Sequence, residues 1–129
     1  MKKLLILFTA LFPVIFSSPS YSKWTEVTKS ASGITYYIDF ERIRKQDEYV
    51  YFWTLSDRLK PNSRGTLSAK VYRQGDCNIF RFKYLSDSYY NEQMGQGTSF
   101  QSSNEPEEEW TYPPPESSAE SILESACSQ

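Results

Sequence analysis

Histidine is absent from all 129 residues. That removes the commonest general base and the commonest metal ligand at neutral pH. It also makes any Ser-His-Asp or Cys-His arrangement impossible. Cysteine occurs twice, at Cys77 and Cys127, without the C-x-x-C spacing of a redox pair. Of the five glycines, Gly95 and Gly97 stand in Met94-Gly-Gln-Gly97, which lacks the Lys and following helix of a phosphate loop. Glu107 to Glu109 precede Trp110, yet they lack the alternating oxygens and Gly of a calcium loop and read as an exposed acidic loop. Carboxylate pairs remain chemically available, but Asp39, Asp57 and Asp87 lie among turn residues, where capping explains them. Nothing in this inventory calls for an enzyme, a metal or a cofactor.

A basic excess is missing too. The chain carries 14 basic and 16 acidic side chains, and no basic stripe suggests nucleic acid. Long apolar runs are confined to the start. Met1-Lys-Lys3 precedes an apolar stretch from Leu4 to Phe16, and Ser20 and Ser22 then stand at −3 and −1 to a cut before Lys23. This is the pattern of a secretory signal peptide. The run is shorter than the roughly 20 apolar residues of a membrane span; the rival reading is an anchor that is never cut. The expected organisation is therefore a cleaved leader, residues 1–22, and a single domain, residues 23–129. Loss of Lys2 and Lys3 leaves 12 basic against 16 acidic side chains, a net charge of −4. The mature chain is expected to be periplasmic, secreted or displayed on the cell surface, with no membrane span. In such an oxidising compartment an even pair of cysteines is most simply one disulfide. The rivals are two free thiols or a metal pair, and two cysteines without His do not make an ordinary zinc site.

What the mature chain does have is aromatic residues, ten Tyr, eight Phe and three Trp in the full sequence, which favour strands. Trp24 to Lys29 reads as a first strand, and Ser30 to Gly33 as a turn. Ile34, Tyr36, Ile38 and Phe40 alternate with polar neighbours, and Asp39 is placed to cap a short helical turn. Tyr49, Tyr51, Trp53 and Leu55 alternate with Val50 and Phe52. Both faces are apolar, as in a central strand, so Trp53 is expected to be buried. Leu67, Ala69 and Val71 begin another strand that turns at Gly75-Asp76. Phe80, Phe82 and Tyr84 alternate along the next. Beyond Tyr90 the chain reads as looser and mobile, with a short strand over Thr98 to Gln101. Ser117-x-x-Glu120 is a capping box opening a helix whose Ile122, Leu123, Ala126 and Cys127 share one face. The fold class is thus α+β: a small antiparallel β-sheet, a meander of about five to six strands, with a C-terminal helix packed on it and one disulfide.

Two segments are candidates for contact with a partner. Arg58, Lys60 and Arg64 occupy a polar loop held by Pro61 and Gly65 and would meet an acidic surface; the plainer reading is a solvated loop. Tyr89 and Tyr90 stand among Ser, Asp and Asn, also read as a loop, where exposed tyrosine offers contact area at low entropy cost.

An ordered set of residues resembles the surface-adhesin protein E family. It runs through Tyr37-Ile-Asp39, Arg42-Ile-Arg44, Tyr51-Phe-Trp-Thr-Leu55, Ser68-Ala-Lys70, Asp76-Cys77 with Arg81, Met94-Gly95, Gly97, Trp110, Pro115 and Ala126-Cys127. The set spans Trp24 to Cys127. One departure is Phe40 after Asp39, where Pro would be expected to open the turn. The resemblance implies a small exported α+β domain with the helix tied on by the disulfide. The family takes its name from a bacterial outer-surface adhesin that binds host matrix proteins. That founding type is surface-anchored, whereas no Cys follows the leader here. The matching residues define the fold, so no binding residue carries over. The expected function is a non-enzymatic binding module, an adhesin contacting host or matrix proteins. The alternative is an accessory envelope protein acting through sheet-edge pairing or self-association as a homodimer.

The cysteine reading makes a measurable prediction. The exported protein should lack two hydrogens by non-reducing mass analysis, and two alkylatable thiols would overturn it. Cys127→Ser should lose roughly 4 kcal/mol of stability, the chain-entropy value for a loop of this length.

Overall fold

The computed structural model describes residues 23–129, so the leader, residues 1–22, lies outside the described residues. Seven strands are arranged in one antiparallel sheet: β1 (Thr25–Lys29), β2 (Thr35–Ile38), β3 (Arg44–Gln46), β4 (Tyr49–Asp57), β5 (Ser68–Asp76), β6 (Arg81–Tyr90) and β7 (Gln101–Ser103). The spatial order is β1-β2-β4-β5-β6-β7, with β3 also beside β4. One helix, α1 (Ser118–Cys127), closes the chain.

Strand β4 is central because its nine residues pair fully with β5, from Tyr49↔Asp76 to Asp57↔Ser68. On its other side β2 and β3 share it. The former pairs with Thr54 to Asp57 and the latter with Tyr49 to Tyr51. Between them the Asp39 amide donates to the Trp53 carbonyl at 3.2 Å, and the Asp39 carboxylate caps a 3-10 turn, Phe40–Arg42, by accepting from the Glu41 amide. Strand β3 has only polar side chains, so no alternation announces it.

Alternation on β4 holds, but its faces are unequal. Val50, Phe52 and Thr54 are buried, whereas Tyr49, Tyr51 and Trp53 are half-exposed. The expected burial of Trp53 is corrected to its neighbour Phe52, which is fully buried. Trp53 instead stacks on Tyr72 across the pair, with centroids 4.9 Å apart. The reason is that α1 covers only the Phe52 face. There Ile38, Val50, Phe52, Ile122 and Ala126 form the core, with Cys77 and Cys127 packed against it.

Seating the helix requires a glycine. Gly75 lies inside β5, not at a turn, because the reversal comes at Cys77 to Phe80. A Cβ there would fall 2.8 Å from Leu123 Cδ1 and 2.9 Å from Val50 Cγ2. The helix begins at the expected cap: Ser117 Oγ accepts from the Glu120 amide at 3.1 Å. Glu120 returns the contact to the Glu116 amide instead of the cap residue's own. At the far end Cys127 reaches Cys77, Cα to Cα 5.7 Å, well inside the usual disulfide range.

The turn that presents Cys77 is organised by Asp76. Its carboxylate is almost wholly buried and accepts from the Asn78 and Ile79 amides and from Arg81 Nε at 3.0–3.2 Å. Burial alone would raise the Asp76 pKa; these donors together outweigh it and hold the carboxyl below its ordinary value.

The segment after Tyr90, expected to be loose, is pinned. The Met94 amide donates to Asp57 Oδ1, the Gly95 amide to Ser68 Oγ, and Ser68 Oγ to the Glu92 carbonyl, all at 2.6–2.8 Å. The short strand comes at Gln101–Ser103, slightly later than Thr98 to Gln101. The acidic loop is exposed as expected, yet Glu107 ties it to the β6 edge. The Glu107 amide donates to the Tyr84 carbonyl, and its carboxylate accepts from the Tyr84 amide.

Two predictions follow from this packing. Gly75→Ala should overpack the helix–sheet contact and cost about 1–3 kcal/mol, and the Gly75→Ala/Leu123→Ala pair should lose less than the sum of its two single variants. A neutral single variant would show that α1 does not rest on Gly75. Asp76 has a depressed folded pKa, so its stabilisation is present above the unfolded value near 3.8 and lost as pH falls through the folded one. Thermal scans from about pH 5 down to about pH 2 should therefore show a shallower loss for Asp76→Asn than for wild type.

Candidate functional site

Register decides which side chains meet on the helix-side face. Reading across the sheet, one row holds Val50, Gly75 and Phe82, the next Phe52, Arg73 and Tyr84. Beyond them come Ile38, Thr54, Val71 and Asp87, and then Tyr36, Ser56, Ala69 and Tyr89. The first two rows lie toward α1 and the disulfide. The core reaches into the third row at Ile38, and Tyr36 in the fourth packs against it.

A bulge makes this composition. The β5–β6 register shifts between Tyr72 and Arg73: Tyr72 faces Ser86 while Arg73 faces Tyr84, leaving Leu85 as the extra residue on β6. One inserted residue inverts the alternation beyond it. Tyr84 and Tyr89, of opposite parity, therefore share the helix-side face, while Tyr90 points to the other, where Lys70 Nζ lies 5.1 Å from its ring centroid. Tyr89 and Tyr90 are strand residues, the last two of β6, not loop residues as expected. Asp87 likewise lies within β6.

The resulting patch consists of Tyr36, Tyr84 and Tyr89, all half-exposed, around Arg73, which is 5% exposed. The Arg73 Nε donates to Thr54 Oγ1 at 3.0 Å, and the Thr54 hydroxyl donates to the Val71 carbonyl at 3.2 Å. Its guanidinium lies 4.8 Å from the Tyr84 ring centroid and 5.4 Å from that of Phe82. Burial lowers the Arg73 pKa, against the opposing influence of Tyr84, Tyr36 and Glu107. Arg73 remains charged all the same, because guanidinium stays protonated in proteins.

The surrounding groups report their proximity electrostatically. Burial raises the Tyr36 hydroxyl pKa, helped by Tyr84 and opposed by Arg73 and Arg58. Tyr89 is raised by burial and by Asp87 and Tyr84, and opposed by Arg64. Arg58 thus lies within electrostatic reach of Tyr36, and Arg64 within that of Tyr89. Arg64 and Tyr89 also line one cavity of about 150 Å³ with Asn62, Thr66 and Gln101. Lys60 stands apart. With Arg58 and Leu59 it borders a separate opening of about 390 Å³ against Ser32, Gly33 and Ile34.

So the structure brings Arg64 and Tyr89 together, places Arg58 with Lys60 at the other opening, and leaves Tyr90 on the opposite face. Sequence reasoning missed Arg73, Tyr36 and Tyr84 as surface features. The signal for Arg73 was available: it continues the alternation of Ala69 and Val71, a charge at an inward position. For the tyrosines no such signal exists, because half-buried and core aromatics alternate identically. Chemically the patch offers guanidinium and hydroxyl donors beside aromatic area. No group of three or more Cys, Asp or Glu suited to a metal is present among the described residues. Nor is any described helix long and apolar enough to cross a membrane.

Comparison with known proteins agrees with this fold. Among solved structures, crystal form II of Haemophilus influenzae protein E superposes with a TM-score of 0.63 at 18% identity, covering 85% of this chain and 91% of that one. The selenomethionine form of the same organism's protein gives 0.61 at 19% identity, over 85% and 89%. Protein E from non-typeable Haemophilus influenzae gives 0.52 at 18%, over 85% and 77%. No curated protein sequence matches the chain. The model of one family, described as surface-adhesin protein E, matches residues 24–128, essentially the whole sheet, helix and disulfide, and this protein belongs to that family.

Proposed function

We propose that this protein is an exported, non-enzymatic binding module that docks a protein partner, as a surface adhesin does, through the tyrosine–arginine patch on its helix-side sheet face. The observation that carries this reading is the register that sets Tyr36, Tyr84 and Tyr89 on one face with the nearly buried Arg73, whose guanidinium lies against Tyr84, and Arg64 beside Tyr89. Tyrosine and arginine are the residue types that dominate binding energy at protein interfaces. They are held here by strands, so little conformational freedom is lost on contact. Membership of a family of surface adhesins supports the same reading. Export is supported by the leader-like residues 1–22 and by the disulfide.

Sheet-edge pairing draws less support. The β1 edge is bulged between Glu26 and Thr28, and β7 offers only three residues. Short and irregular edges of this kind resist adding a strand.

Binding to immobilised extracellular-matrix proteins tests the proposal. Tyr36→Ala/Tyr89→Ala should weaken binding by about 30-fold, the loss of one strong interface anchor. Arg58→Ala/Arg64→Ala should chiefly slow association and flatten its salt dependence. Lys60→Ala/Tyr90→Ala, outside the patch, should change little. Binding unaffected by the first two pairs would move the contact elsewhere. Failure to bind any matrix protein, with retention in the periplasm on fractionation, would favour an accessory envelope role.

A further inference from the structure

We infer that the partner surface recognised by the patch is a carboxylate-bearing segment of polypeptide, with Arg73 as the anchor that receives one of its carboxylates. This rests on the reading that the patch is where the partner docks.

Arg73 is the observation that points to a ligand. The described residues hold three ion pairs, Lys23–Glu41, Arg42–Asp39 and Arg81–Asp76, and none of them includes Arg73. A guanidinium this buried normally has a carboxylate beside it, because desolvating a charge is costly unless it is paired and hydrogen-bonded. Its neighbour three residues along shows the ordinary solution: Asp76, equally buried, receives Arg81 and two amides. For Arg73 the protein supplies one side-chain hydroxyl, Thr54, and the faces of two rings. Guanidinium carries five donors in a planar fork matched to carboxylate. The fork therefore has donors to offer an incoming anion, with the Tyr84 ring against it and Tyr36 within electrostatic reach.

The surroundings select among anions. A sulfated polysaccharide is a repeating polyanion and favours a stripe of cations. Here the cations are three separate arginines, and Asp87 and Glu107 stand close enough to Tyr89 and Arg73 to be felt electrostatically. The mature chain is itself acidic. These charges repel a polyanion but tolerate one or two discrete carboxylates. Tyrosine area around the fork suits the apolar parts of a peptide, and Arg58 and Arg64 nearby would steer it.

Fluorescence anisotropy of the exported protein with a labelled Glu-Phe-Glu-Phe-Glu peptide tests the inference, with the Gln-Phe-Gln-Phe-Gln counterpart and heparin as parallel probes. The Glu peptide should bind, and the Gln peptide should bind at least about tenfold more weakly, the lower range for losing a charged partner. Arg73→Met fills the same space without charge. It should leave the melting temperature unchanged or higher, since replacing a buried charge by an apolar side chain is often stabilising, while weakening the Glu peptide at least about tenfold. Arg58→Ala/Arg64→Ala, whose side chains reach solvent, should weaken it severalfold with no change in melting temperature.

Equal binding of the Glu and Gln peptides, absence of Glu-peptide binding at millimolar concentration, or tighter binding of heparin independent of Arg73 would each overturn the inference. So would a lowered melting temperature in Arg73→Met with unchanged peptide affinity, which assigns Arg73 to the core. Matrix-protein binding that is lost in Tyr36→Ala/Tyr89→Ala yet not displaced by the Glu peptide would refute only the carboxylate assignment. Matrix-protein binding indifferent to the patch would refute both.

Discussion

The Cys77–Cys127 bond fixes where α1 lies, and the helix fixes which part of the sheet is core. A helix of ten residues is marginal by itself in water. Its cap at Ser117, its apolar face of Ile122, Leu123 and Ala126, and its covalent tether act on the same element from both ends and the middle. Ten residues rise about 15 Å, at 1.5 Å per residue. That is shorter than a nine-residue strand, which extends about 30 Å. The helix rests on β1, β2, β4 and β5, and Ile38, Val50 and Phe52 beneath it form the core with Ile122 and Ala126. Toward β6 the same face carries Tyr84 and Tyr89, so core and half-exposed aromatics share one plane.

Strand β5 carries two buried charges three residues apart, Asp76 and Arg73. Asp76 sits at the tethered end and is fully partnered, and its network shapes the turn that places Cys77. Arg73 has its charge met by rings and a hydroxyl instead of a carboxylate. The first arrangement serves folding. The second leaves guanidinium donors without a carboxylate, the feature on which the proposed binding role rests.

The opposite face of the sheet is organised differently. Trp110 stacks on Tyr49 at 5.7 Å, with Arg81 and Lys83 over its ring at 4.4 and 4.6 Å. At the other end the segment Gln93–Gly95 covers Leu55, which is fully buried. Aromatics between these two covers remain half-exposed and stack on one another. Aromatic abundance in this chain thus supports packing on both faces, and on the helix-side face Phe82 and Tyr84 also lie against Arg73.

Local chemistry was legible without tertiary structure wherever it is written in neighbouring residues. Asp39 before Phe40–Arg42 and Ser117 before Glu120 announce their caps, because a cap needs only a side-chain oxygen and a free amide two or three residues on. Alternation announced β1, β2, β4, β5 and β6, and the cysteine pair announced the tether. Three things were decided only by the folded chain. Burial of Phe52 instead of Trp53 depends on which face the helix takes, and both faces of β4 are apolar. Strand β3 is polar throughout and exists because the central strand has an edge left to pair. Above all, the extra residue Leu85 inverts the alternation of β6, so that Tyr89 joins Tyr84 beside Arg73 and Tyr90 does not. A bulge is a property of two paired strands, and the spacing of residues within one of them carries no trace of it.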